Sequence, residues 1–374
     1  DVPNARKSHH GSIPLIGGMA IFIAVCVALL ANFFAFDFNL PGSDSFYAFL
    51  CASLVLIVVG VWDDMHDLRP NTRFAAQIGS ALIMIFAGGV VLRDIGSLSF
   101  SGDVLYLGLV AVPFTVFATL GMINAMNMCD GLDGLSGSLA LVSLVGMGIA
   151  NVLWGTGAEH PLIAILAASV VAFLIFNLRS KWRSSAWVFL GDAGSMLLGL
   201  ALSWLAISLS QGEERVFSPA AALWFLMVPV YDAVSMMIRR MLKHRSPFEA
   251  DREHLHHIFL LAGFSVGETV SLMSCLAITG VVIGLGGTWL QLSEIFMGTL
   301  FTMGGLLYFY AVTRAWRVMR FLRRSICRRE LLVDRRAKAG ERRIGFENRA
   351  YDGKEKRSGM DRRRVNRRQM YPLH

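Results

Sequence analysis

Apolar runs long enough for helices of roughly 20 residues recur through most of this chain, near 13–33, 46–62, 74–92, 104–123, 138–154, 161–177, 195–210, 219–238, 270–290 and 293–313. A chain built this way has to satisfy its backbone polar groups inside each hydrophobic segment. In a bilayer only helices and closed barrels do that. The alternating pattern of a membrane barrel is absent. The 374 residues are 55% hydrophobic and 17% charged, with a mean hydropathy of +0.54. The expected fold is therefore an all-α polytopic membrane protein of about ten transmembrane helices, the runs near 161–177 and 195–210 being the shortest.

The charges between the runs orient it. Alternate connections carry Arg6 and Lys7, then Arg69 and Arg73, then Arg179, Lys181 and Arg183, then Arg239, Arg240, Lys243, Arg245 and Arg252. That is about twelve basic residues on one side, and the positive-inside rule makes that side cytoplasmic. The opposite connections hold only Arg93 and Arg215. Both termini are expected in the cytoplasm. Cys26, Cys51, Cys129, Cys275 and Cys327 form no CxxC pair, so neither a disulfide framework nor a zinc site is indicated. No signal peptide is visible at the start, and the chain reads as beginning inside a longer protein. From Arg314 onward there are about 21 Lys and Arg against about 7 Asp and Glu, a block that repels itself. Its first part, to Phe321, should continue the last helix into the headgroups. The remainder reads as disordered and suited to anionic lipid headgroups. Nothing there supplies a base-reading fold, so no nucleic-acid partner is expected. The division is a membrane domain over 1–334 and a basic tail over 335–374.

Four polar stretches interrupt the apolar pattern on the cytoplasmic side. Asp63, Asp64 and Asp67 close one run, and Asn124, Asn127, Asp130 and Asp133 close another, followed by Gly134 and Gly137. Like charges so close together are unfavourable at a membrane surface unless a cation or ligand compensates. The three-residue spacing of Asn124, Asn127 and Asp130 makes neighbours on a helix surface. All-oxygen donors suit Mg²⁺, with Mn²⁺ the alternative, together with the phosphates such ions bridge. The third stretch, Val188 to Ser195, opens an apolar helix, where a phosphate is favoured and Phe189 can stack on a base. The fourth, Ser246 to His257, gathers Arg252, His254, His256 and His257. Without cysteine these read as phosphate donors rather than zinc ligands. Asp232 lies inside an apolar run. It is read equally as a functional acid and as the partner of Arg239 in an ion pair.

Taken in order, Asn4 to Lys7, Ile13 to Gly18, Asp63-Asp64 with Asp67, Asn124 to Gly134, Phe189 to Ser195 and Ser246 to His257 resemble the polyprenyl-phosphate N-acetylhexosamine 1-phosphate transferases. The likeness runs from about Pro3 to Phe321. The stretch Asp251 to His257 is similar to the branch that uses N-acetylglucosamine. The family usually has eleven spans with its first residues outside, so the resemblance implies a first helix lying before Asp1. It also allows a homodimer.

The resemblance implies a transfer of N-acetylglucosamine 1-phosphate from UDP-N-acetylglucosamine to undecaprenyl phosphate at the cytoplasmic face of the bacterial inner membrane. UMP would leave, and the product would begin an O-antigen, exopolysaccharide or other envelope polysaccharide. Asp192 and Asn127 would hold Mg²⁺ on the diphosphate. Asp63 and Asp64 would meet the lipid phosphate, with Asp63 removing any residual proton. Asp67, Asp130 and Asp133 complete the catalytic carboxylates. Asp133, Asn177, Phe189 and Gly194 would contact uridine, and Asn124 joins the substrate contacts. Arg252, His254, His256 and His257 would face sugar and diphosphate, and Lys7, His9 and His10 would guide the lipid phosphate. Another UDP-N-acetylhexosamine donor is the nearest alternative. A cation transporter is the rival from a different class, but it calls for acids spread through the membrane depth, and these gather on one side.

Overall fold

The computed structural model describes residues 13–36, 43–98, 102–157, 159–179, 183, 185–244 and 254–315. Twelve α-helices occupy most of them: α1 Gly17–Phe36, α2 Ser43–His66, α3 Pro70–Phe86, α4 Ala111–Cys129, α5 Leu135–Trp154, α6 His160–Asn177, α7 Gly191–Ser208, α8 Pro219–Phe225, α9 Met227–Leu242, α10 Leu255–Leu261, α11 Val266–Trp289 and α12 Glu294–Ala315. The described residues contain no extended strand, and Asp94 and Tyr106 pair as an isolated bridge.

Every apolar run of the sequence contributes to a helix, but not every helix is long enough to cross a bilayer. Seven are (α2, α4, α5, α6, α7, α11 and α12), and the bent pair α8–α9 would make an eighth. The fold is that of a polytopic membrane protein. The expected ten spans exceed this because α1 has a short apolar stretch, Gly17–Ala31, and α3 stops after 17 residues. That is roughly 25 Å at 1.5 Å per residue. After α3 the chain turns at Gly89, where φ is +68°. It then doubles back on itself, the Ile95 N–H donating to the Leu105 carbonyl and the Leu105 N–H to that of Gly96.

The run near 219–238 is two helices, not one, bent by 88°. Pro229 explains the break, because it has no N–H to donate to the carbonyl four residues back, at Phe225. In lipid that carbonyl needs another donor, and the Ser143 hydroxyl of α5 supplies it at 2.7 Å. The last described helix docks on the broken pair: Trp224 donates its indole N–H to the Met297 carbonyl at 3.2 Å, and the rings of Trp224 and Phe301 meet edge-on.

α7 is the central pillar, with 89% of its apolar window buried, against 17% for α12. Its Trp204 is fully buried and packs edge-on against Phe49 of α2. Near its start α7 touches two other helices backbone to backbone. A Cβ on Gly18 of α1 would fall 2.3 Å from the Gly194 nitrogen, and one on Gly60 of α2 would fall 2.3 Å from the Ala193 Cα. Only glycine permits such approach. These contacts fix the segment that carries Asp192.

Candidate active site

The ends of five segments meet at one end of the bundle, and backbone hydrogen bonds tie two of them into a short clamp. Gly17 N–H donates to the Phe189 carbonyl (3.0 Å), Gly18 N–H to Leu190 (2.9 Å), and Phe189 N–H returns to Pro14 (3.0 Å). Leu190 thus arrives at α7 from a fixed direction. Gly191, at φ +74°, then turns the chain so that the Asp192 N–H donates to Asp64 Oδ1 at 3.0 Å. Asp64, from the end of α2, therefore sits on the N-terminus of α7, where the helix dipole favours an anion.

Around this junction the carboxylates gather as the sequence leads one to expect, with a cation among them. Arg73 of α3 reaches Asp63 Oδ2 at 2.9 Å and Asp192 Oδ2 at 3.6 Å. Asp63 also accepts the Leu68 N–H at 2.7 Å. From α4, Asn127 donates to Asp192 Oδ1 at 2.7 Å and to Ser195 Oγ at 2.9 Å. Asn124, one turn earlier, donates to Gln77 Oε1 at 2.8 Å and so braces α3 against α4. Asp130 ends α4 facing the same space. Its carboxyl is pushed well above the usual carboxylate range, by burial first and then by the charges of Asp192, Asp64 and Asp133. Asp67 is exposed, in the left-handed region at φ 50°, and its side chain makes no hydrogen bond or ion pair among the described residues.

Asp133 and Asn177 serve the loop beside the cluster. Asp133 Oδ2 accepts Arg179 Nε at 2.7 Å and the Ala186 N–H at 3.2 Å. Asn177 accepts the Gly134 N–H at 2.6 Å and donates to the Val188 carbonyl at 2.7 Å. One bond at each end of that amide goes to backbone, so Asn177 braces the turn. Phe189 holds the clamp through its backbone, and Gly194 makes the close approach to Gly18.

The histidine segment arrives from the far side. His254 and His256 are buried, and their rings stack at 5.3 Å between centroids. His257 lies 4.3 Å from the His256 ring, centre to centre. His256 leans on the turn after Asp130, since a Cβ on Gly131 would meet its Nε2 at 2.7 Å. Burial, and then the neighbouring His257 and His254, hold the His256 pKa down at about 3, so the ring is neutral. The segment is moored to Asp232, whose Oδ2 accepts His254 Nδ1 at 2.7 Å while Oδ1 accepts the Leu255 N–H at 3.1 Å and the Tyr308 hydroxyl at 3.0 Å. An acid at the centre of a membrane helix costs about 2.5–3.5 kcal/mol to insert, and these three donors offset it. Of the two readings of Asp232, the ion pair with Arg239 does not form among the described residues, and the acid pairs with His254. Arg239 donates, among its contacts, to the Ser235 carbonyl at 3.3 Å.

A cavity of about 950 Å³ runs from this polar end down the bundle between α3, α4 and α9, lined by Arg73, Asn127, Asp130, Asp192 and the three histidines at one end and by Leu92, Ile95 and Leu98 at the other. Near the far end lies a separate ion-pair group, in which Arg215 reaches Glu294 at 3.0 Å and Asp94 at 3.7 Å.

No three His, Cys, Asp or Glu side chains among the described residues are grouped closely enough to hold a metal by themselves. Mg²⁺ does not need such a cage, for it is commonly held by one or two carboxylates with water and substrate phosphate completing the shell. Asp192 and Asn127 offer that partial set, and Asp130, raised by burial first and then by the charges of Asp192, Asp64 and Asp133, lies beside it.

Lys7, His9, His10, Arg252 and the tail 335–374 lie outside the described residues. Arg73, Gln77, Arg179 and Tyr308 join the site without being singled out by sequence reasoning, which counts the two arginines only as loop charges. A signal for Arg73 does exist. It stands in the first turn of a helix that restarts at Pro70, directly after the one that ends with the aspartates, so a tight turn returns it to Asp63.

The profile of glycosyl transferase family 4 matches residues 46–210. The undecaprenyl-phosphate alpha-N-acetylglucosaminyl 1-phosphate transferase of Yersinia pestis is 36% identical over 325 residues, covering 87% of this chain and 87% of the relative. Proteins of the same description from Escherichia coli (strain K12) and Haemophilus influenzae are each 35% identical, over 327 and 326 residues, covering 87% of this chain and 86% and 89% of themselves. The chain belongs to glycosyl transferase family 4.

Proposed function

We propose that the protein transfers N-acetylglucosamine 1-phosphate from UDP-N-acetylglucosamine to undecaprenyl phosphate, releasing UMP and leaving undecaprenyl-diphospho-N-acetylglucosamine in the membrane. The observation that carries this reading is a cavity with two characters. Its long apolar flank suits a polyprenyl chain, and its polar end gathers Arg73, Asn127, Asp192 and the histidines where a phosphate would emerge from that flank.

The acceptor phosphate is already largely ionised at neutral pH, second phosphate pKa values lying near 6. The obstacle is bringing two anions together, and the site has to offset that repulsion. Asp192 and Asn127 would hold Mg²⁺, which supplies charge neutralisation on the diphosphate. Arg73 supplies a guanidinium beside Asp63, where the lipid phosphate would lie. Asp63 takes the residual proton of that phosphate if one is present. His254, His256 and His257 line the donor side. The polar end faces the cytoplasm of the bacterial inner membrane in this reading, which follows the loop-charge bias.

The test is UMP release by purified protein supplied with UDP-N-acetylglucosamine, undecaprenyl phosphate and Mg²⁺, with a panel of other UDP-N-acetylhexosamines in parallel. Asp192→Asn should reduce turnover by more than about 100-fold across a Mg²⁺ titration while the protein stays folded. No UMP from any donor in the panel would overturn the reading.

A further inference from the structure

Asp232 is a buried acid that the proposed chemistry leaves unused, and it lies within α9, on the limb beyond the 88° bend. Its two oxygens take three donors from three places: the His254 ring, the first backbone N–H of α10 at Leu255, and the Tyr308 hydroxyl of α12. We propose that Asp232, held by Tyr308, is a positioning residue that sets the ring of His254, and through it the stacked His256, against the Gly131 turn, and so governs recognition of the nucleotide sugar. This rests on the reading of a nucleotide-sugar site above and names the device that orients its donor side.

An ionised carboxylate only accepts hydrogen bonds, so the proton between Asp232 and His254 sits on Nδ1. That fixes both the ring plane and the direction of Nε2, as a carboxylate does for a catalytic or metal-bound imidazole elsewhere. His256 lies nearly parallel to His254, the two planes differing by 8°. A rotation of the first ring therefore has to carry the second with it or break the stack. His256 also lies close to the turn at Gly131, directly after Asp130, where a Cβ built on that glycine would fall 2.7 Å from its Nε2. The Leu255 N–H bond to the same carboxylate fixes the start of α10, so backbone and ring are referenced to one point. Tyr308 completes the set from α12, and its bond stops the carboxylate from rotating about its own χ2.

The variants separate a positioning role from a merely structural one. Asp232→Asn keeps the shape and an acceptor for Leu255 and Tyr308, but it presents an amide N–H to the His254 ring, which must then carry its proton on Nε2. In ¹⁵N spectra of histidine-labelled protein, His254 Nδ1 should change from an N–H type to an unprotonated type. The KM for UDP-N-acetylglucosamine should rise at least about 10-fold, with the KM for undecaprenyl phosphate within about twofold of wild type. Tyr308→Phe, the milder change, should raise the donor KM about threefold. The double variant Asp232→Asn/His254→Ala should be no worse than the poorer single one, since both act as a unit. An unchanged His254 spectrum in Asp232→Asn, equal shifts in both KM values, or additive losses would each overturn the proposal. If wild-type protein releases no UMP at all, the functional reading fails, and the nitrogen spectra still decide whether Asp232 sets the ring.

Discussion

Replacing Gly18 by alanine asks whether the position of Asp192 is set by helix contact or by its own hydrogen bonds. The new Cβ would stand 2.3 Å from the Gly194 nitrogen, 2.4 Å from its Cα and 2.9 Å from the Ala193 carbonyl carbon, where ordinary contact begins at 3.4 Å. Every one of those atoms is backbone, so no side chain can rotate away. α1 and α7 must separate by about 1 Å, and overpacking of this kind costs about 1–3 kcal/mol. Asp192 adjoins Ala193, and its bonds to Asn127 and Asp64 are 2.7 and 3.0 Å long. A shift of that size stretches them out of hydrogen-bonding range. Misplacing a reacting group by about 1 Å costs on the order of 100-fold in rate, or about 2.7 kcal/mol of barrier. UMP release at saturating Mg²⁺, measured beside thermal unfolding in detergent, reads both effects. Gly79 of α3 has nothing within 4 Å of a Cβ built on it, so Gly79→Ala is the control and should be neutral or stabilise by up to about 1 kcal/mol. Wild-type turnover in Gly18→Ala, or an equal loss in Gly79→Ala, would refute the reasoning.

Arg73→Gln should lower single-turnover UMP release about 10- to 100-fold. It leaves Asp63, whose side chain is 2% exposed, without its cation, so stability should fall by about 1–2 kcal/mol, discounted for the partial exposure of Arg73. His256 is held near pKa 3 in the fold against about 6.5 when unfolded. Its stabilising contribution is therefore complete above about pH 6.5 and is lost as pH falls toward 3. By about pH 5 the loss should be about 2 kcal/mol, and thermal unfolding of His256→Asn should show a correspondingly flatter acid limb. Arg215→Ala leaves Asp94 and Glu294 without their shared cation. It should destabilise the protein by about 1–2 kcal/mol, discounted for the partial exposure of Arg215, with donor KM unchanged.

The helices and the order of the polar stretches are legible in the sequence, because a bilayer leaves the backbone few choices. Asn124 and Asn127 share a face of α4 as their spacing requires, and Asp192 begins α7 as expected. Three features are not legible, for identifiable reasons. Hydropathy is blind to the break near Leu226, since both limbs are apolar, although Pro229 marks it. Arg73 reads as a topogenic charge by loop counting, and its place in the first turn after Pro70 points to Asp63 only once α3 is known to pack beside α2. Asp232 offers one partner on paper, Arg239, seven residues on. Pattern does not show His254, 22 residues away, as the partner that forms, because that depends on the histidine segment folding back over α9.

The unequal burial of α7 and α12 has a mechanical consequence. A membrane thicker or thinner than the protein's apolar girdle loads the helices that touch lipid, by fractions of a kcal/mol per Å of mismatch. α7 is almost wholly screened from that load, whereas α12, only 17% buried, meets it directly. Asp192 rides on the screened helix, but Tyr308, which braces Asp232 and the histidines, rides on the loaded one. Reconstitution in bilayers of stepped acyl-chain length should therefore tune the apparent affinity for the nucleotide sugar while leaving Mg²⁺ dependence nearly flat, making lipid composition a dial on one half of the site alone.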